Sequence, residues 1–320
     1  MQEAFLKILR YFPQHWREDF KGGYYLSVLA MLAIFTGLNY YLLPDVKLER
    51  WITNHYYGQW TCTLWYLAFY GVPYYLTVLL YAAFFNRWDL LRSRKFWLRS
   101  LFGLTVISID ASFAWYREIV ALIDGSVPKY IWQKYLGNFY STLTIGLGFW
   151  LYWYGRDRDY LDSFYGLTRR GFDWRPYAIL MGLMVPLVVG AAFTSDFLDY
   201  YPTLKLTIAR RYEALPPWAT MAIYEFVYAF DFIWTEVAFR GFFVLGMARV
   251  MGSAAVVPMC TVYEFRHFAK PLGESISSIF GGYILGVIAL KSRNILGGVW
   301  LHMGIALLME LVAILIKEIL

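Results

Sequence analysis

Trp234-Thr235-Glu236-Val237-Ala238-Phe239-Arg240-Gly241 and Tyr263-Glu264-Phe265-Arg266-His267 place ionisable side chains inside apolar runs, and a third such run carries His302. A charged side chain at the centre of a membrane helix costs about 2.5–3.5 kcal/mol on insertion scales, so such residues face a polar cavity and one another. The stretch from Trp234 to Ala306 therefore decides how the rest of the chain is read. It makes Glu236, Arg240, His267 and His302 a candidate site.

Composition agrees with a membrane setting. The 320 residues are 59% hydrophobic, 16% charged and 21% aromatic. A water-soluble domain of this length needs more charge to cover its surface, and Trp and Tyr in excess suit the two membrane interfaces. The net charge of +6 does not indicate nucleic acid, because the basic residues sit in short loops between apolar runs. Cys62 and Cys260 lie far apart in apolar segments, a spacing that suits neither a disulfide framework nor a thiolate metal site. The first apolar run begins near Tyr24, is long enough to span, and lacks the small-residue cleavage site of a signal peptide.

Apolar runs of spanning length follow at 24–43, 60–85, 96–114, 138–154, 177–194, 219–245, 253–268, 276–291 and 295–317, each near the ~20 residues a crossing helix needs. The fold expected is all-α, a polytopic membrane protein of about nine transmembrane helices. Pro73 and Pro186 fall inside two runs and predict kinks rather than ends. Ahead of the first run, Phe5, Leu9, Phe12, Trp16 and Phe20 recur at helical spacing with Lys7, Arg10, Arg17 and Lys21 off the stripe, the pattern of a helix in the headgroup layer kinked at Pro13 or, equally, of an amphipathic segment packed on the protein. Arg87, Arg92, Arg94, Lys95 and Arg99 crowd one loop, and Arg156, Arg158, Arg169, Arg170 and Arg175 another. The positive-inside rule puts both loops and the amino terminus in the cytoplasm, and the location expected is the plasma (cell inner) membrane.

The chain divides into a transmembrane scaffold over 1–195, a polar connection over 196–217 and a core over 218–320. In the connection, Leu204, Ile208, Tyr212 and Leu215 suggest a second interfacial helix between Pro202-Thr203 and Pro216-Pro217. In the core, Ser278, Gly282 and Gly286 recur every four residues, as do Gly298, His302, Ala306 and Glu310, which lets helices approach closely. No internal repeat or phosphate-binding glycine loop is visible.

Glu236 and Arg240 are four apart and share a helix face, so they can pair. Asp231 and Thr235 form a separate pair around the same helix. At 1.5 Å per residue, Glu236 lies ~14 Å from the end of its span near Leu245, His302 ~10 Å and His267 ~20 Å deep. Two chemistries suit such a group. Glu236, His267 and His302 could hold a zinc ion that activates water, or a carboxylate could activate water with histidines stabilising the oxyanion. The spacing is not the His-Glu-x-x-His of zincins.

Glu236-x-x-x-Arg240-Gly241, then Tyr263-x-x-x-His267, the Gly281–Gly286 run and His302 resemble the ordered motifs of the CAAX protease and bacteriocin-processing (CPBP) family, also called the abortive-infection family. The resemblance covers residues 218–320. It implies a four-helix membrane core around a cavity and an intramembrane endopeptidase, metal-assisted or glutamate-based, acting on a membrane-associated peptide or protein. The alternative it implies is a non-catalytic relative that binds peptides as an immunity or assembly factor. Thr235 stands where the family has a first glutamate, Tyr263 where it has phenylalanine and Ala306 where it has asparagine. With Thr235 in that place, Glu236 is the nearest candidate base and Asp231 the next.

Overall fold

The computed structural model describes residues 2–43 and 47–319, and every regular element among them is helical. Among the described residues, six helical runs are long and apolar enough to cross a membrane: Gly22–Leu42, Thr61–Phe85, Arg94–Ala121, Pro217–Phe265, Leu272–Ser292 and Leu296–Glu318. The Pro217–Phe265 run is not one rod. Gly252 has φ +61°, a conformation that favours glycine, and there the chain turns so that Val256–Phe265 lies back against Val237–Gly246. Two further apolar runs anticipated as crossings are shorter: Arg175–Ala191, and Leu147–Tyr152 flanked by wider π turns at Thr142–Gly146 and Trp153–Asp157. Pro73 and Pro186 do lie inside helices without ending them.

The scaffold and the core share one interior. A single buried cluster runs from Tyr24, Tyr70 and Phe96 through Phe149 and Tyr165 to Phe242, Val262 and Ile295. A polar tie joins the same parts, since Thr36 Oγ1 donates to the buried Glu264 carboxylate at 2.6 Å. Small residues set the closest approach. A Cβ at Gly286 would fall 2.8 Å from Met259 and one at Gly282 would fall 3.1 Å from the Tyr263 ring, so the Ser278–Gly282–Gly286 stripe seats the Val256–Phe265 helix.

One end of the bundle gathers the basic loops. Arg99 pairs with Asp157 and donates to the Gly246 carbonyl, while Arg249 reaches Asp159 at 2.5 and 2.6 Å. Arg293 donates to the Tyr160 hydroxyl, and Lys291 pairs with Glu18 of the amino-terminal helix at 2.6 Å. Loops far apart in sequence thus meet at the same end as the amino terminus.

The amino-terminal segment forms helices Gln2–Leu9 and Tyr11–Asp19. The interruption at Arg10 falls one turn ahead of Pro13, which has no N–H to offer the Leu9 carbonyl. Leu9, Trp16 and Phe20 of the expected apolar stripe are exposed, whereas His15 and Asp19, on the neighbouring face, are fully buried. The connection differs more from expectation. It holds only the short helices Ser195–Tyr200 and Leu206–Ala209, and Leu204 and Tyr212 are buried beside Ile131, Tyr135 and Tyr224. Its apolar residues face the protein, because Ser126–Phe139 and the start of Pro217–Glu236 offer a surface to pack on.

Candidate functional site

Glu236 closes the α-helix Pro217–Glu236, and the chain continues as ten residues of the wider π-helix, Val237–Gly246. π-helical turns are rare and concentrate at functional sites. Arg240 lies one turn on and donates from Nη1 to Glu236 Oε1 at 2.8 Å, with both side chains essentially without exposure, at 0% and 1%. The pairing expected from the four-residue spacing is therefore present.

His302 joins them from Leu296–Ile319, its Nδ1 3.0 Å from the same Oε1. Gly298, one turn earlier, makes this possible: a Cβ there would sit 2.5 Å from Glu236 Oε2. Phe232 covers the imidazole at 4.3 Å between ring centres. The other ring nitrogen, Nε2, is 3.2 Å from the Tyr263 hydroxyl, and the Arg240 guanidinium carbon stands 4.2 Å from the centre of the Tyr263 ring. Glu236 Oε2 and Arg240 Nη2 are buried with no hydrogen-bond partner. The buried Glu236, Arg240 and Tyr263 and the partly buried His302 thus form one hydrogen-bonded and stacked group.

His267 stands apart from it. Its Nδ1 donates to the Tyr263 carbonyl at 2.7 Å, and its ring meets Tyr263 edge-on at 4.6 Å. Tyr263 therefore lies between His267 and His302. Among the described residues, no three His, Cys, Asp or Glu side chains come together as a metal site requires. The expected zinc set of Glu236, His267 and His302 has two of its members in contact and the third turned to a backbone carbonyl, so the arrangement does not fit a three-ligand zinc site.

Thr235 faces elsewhere. It lines a cavity of about 10 Å³ with Asp231, Asp110, Ser141, Phe239 and Arg266, room for about one water. Thr144 Oγ1 donates to Asp110 at 2.5 Å, and Arg266 stands 3.7 Å from both Asp110 and Glu49. Asp110 and Glu49 belong to the segment read from sequence as scaffold. Lone acidic residues in runs as apolar as Arg94–Ser112 carry no spacing signal, and only Asp231's position one turn from Thr235 pointed to this chamber. Tyr263 was visible in the sequence as a departure from the family pattern, but its contact with His302 was not, because an aromatic residue in an apolar helix reads as core.

In the comparisons with known proteins, no family model, no curated protein and no solved structure matches the chain.

Proposed function

We propose that this chain is an intramembrane hydrolase of the CPBP kind, cutting an amide bond in a membrane-associated peptide or protein, with His302 as its acid–base group. What supports the reading is the contact between His302 Nδ1 and Glu236 Oε1 in a site enclosed by apolar helices. A carboxylate only accepts, so it holds the neutral imidazole with its proton on Nδ1 and its lone pair on Nε2. That is the arrangement in which a histidine works as a general base. Arg240 fixes the carboxylate and balances its charge. Glu236 is then the orienting partner of the base rather than the base itself. In the same reading the chain crosses the inner membrane about nine times with its amino terminus in the cytoplasm, in line with the basic loops gathered at the amino-terminal end.

A second reading, a peptide-binding relative without turnover, is favoured by Thr235, which lies on a separate cavity and supplies no carboxylate. Cleavage of a fluorogenic membrane peptide by purified protein separates the two. We expect turnover by wild type and a loss on the order of 10,000-fold in Glu236→Gln, the scale seen when the carboxylate that orients a catalytic imidazole is neutralised. Wild type that binds the peptide without cutting it, with Glu236→Gln binding equally well, supports the second reading.

A further inference from the structure

Tyr263 occupies the position in front of His302. Its hydroxyl is 3.2 Å from Nε2, the nitrogen that the Glu236 contact leaves as an acceptor, so the phenol is the donor. The order is hydroxyl, imidazole, carboxylate, the same order in which a serine is activated in hydrolases, with a phenol in the hydroxyl place. The Arg240 guanidinium over the ring, 4.2 Å from its centre, adds a positive charge that favours electron density on the phenol oxygen. Phe239, 4.9 Å away between ring centres, and His267 at 4.6 Å fix the ring edges, and the missing side chain of Gly282 leaves it room.

We propose that Tyr263 and His302 act as one acid–base pair, the phenol exchanging its proton with Nε2 while Glu236 and Arg240 orient them. This rests on the hydrolytic reading above for its substrate. In the hydrolytic step, water gives a proton to the Tyr263 oxygen as the Tyr263 proton passes to His302 Nε2. The hydroxide left by the water adds to the carbonyl carbon of the amide. When the carbon–nitrogen bond breaks, the leaving amine takes the proton from Nε2. One water is consumed, one acid and one amine are formed, and Tyr263 and His302 return to their starting protonation. Ala306, one turn beyond His302, has no group to take part.

The test is Tyr263→Phe in the full chain, which removes the proton and keeps the ring beneath Arg240. The first readout needs no substrate. With only four histidines in the chain, nitrogen-15 spectra of histidine-labelled protein in lipid discs can be assigned by the signal lost in His302→Gln. We expect the His302 Nε2 signal to move in Tyr263→Phe by more than any signal from His15, His55 or His267. The second readout is the fluorogenic peptide, where Tyr263→Phe should slow turnover at least ~100-fold and flatten one limb of the pH–rate profile. An unmoved Nε2 signal overturns the pair whatever the activity. Wild-type turnover matched in rate and pH profile by Tyr263→Phe also overturns it. A moved signal with no wild-type turnover supports the pair and overturns the hydrolytic reading instead.

Discussion

Glu236 and Arg240 illustrate what a single buried charge requires. Each would be prohibitively placed alone, and together they still leave Glu236 Oε2 and Arg240 Nη2 without partners. Removing one member of a buried pair costs about 3–5 kcal/mol because the other stays charged and unpaired, whereas replacing both by apolar groups is often neutral. Arg240→Met should therefore lower the thermal midpoint sharply in detergent, and the double variant Arg240→Met with Glu236→Leu should recover most of the loss. Equal destabilisation in the single and double variants would contradict the pairing. At this scale the sequence was informative wherever spacing alone fixes a contact. The four-residue step from Glu236 to Arg240 and the small residues around His302 both pointed to real neighbours. The place of His267 was not legible, since its ring direction depends on the turn after Phe265, where the chain leaves the helix.

The amino-terminal helix shows the same limit at the level of an element. Its apolar stripe was readable, but the burial of His15 and Asp19 was not, because polar residues on an amphipathic helix ordinarily face water. Here the helix lies on the protein with that face inward, and neither side chain finds a hydrogen-bond partner. Burial pushes the Asp19 carboxyl up to about 7, and burial together with Lys291 pulls His15 down to about 4. The folded chain thus keeps a proton on Asp19 that the unfolded chain gives up, so this group's contribution to stability falls as pH rises from about 4 to about 7. His15 acts in the opposite sense, its contribution falling as pH drops from about 6.5 to about 4. Asp19→Asn isolates the first effect. Relative to wild type, its thermal midpoint should climb through the Asp19 window and level off above it. A difference that does not vary with pH would contradict the buried, protonated carboxyl.

Over the whole molecule, the spacing of apolar runs conveyed an all-helical chain with helices long enough to cross a membrane. The gap between the runs at 219–245 and 253–268 agrees with the turn at Gly252, but the spacing did not convey that the run at 138–154 holds only a short α-helix, because hydropathy does not register the π turns on either side of Leu147–Tyr152. Nor did it show that the first part of the chain lends Asp110 and Ser141 to a polar chamber beside the core. That chamber depends on side chains meeting across helices more than a hundred residues apart. The hydrogen-bonded group that spans the Pro217–Glu236 and Leu296–Ile319 helices through Glu236 and His302 is of this kind. A double-mutant cycle on unfolding free energy, with Glu236→Gln, His302→Gln and both together, tests it most directly. Side chains in one buried network couple by about 0.5–3 kcal/mol, and that is the predicted result, while additivity within about 0.5 kcal/mol would contradict it.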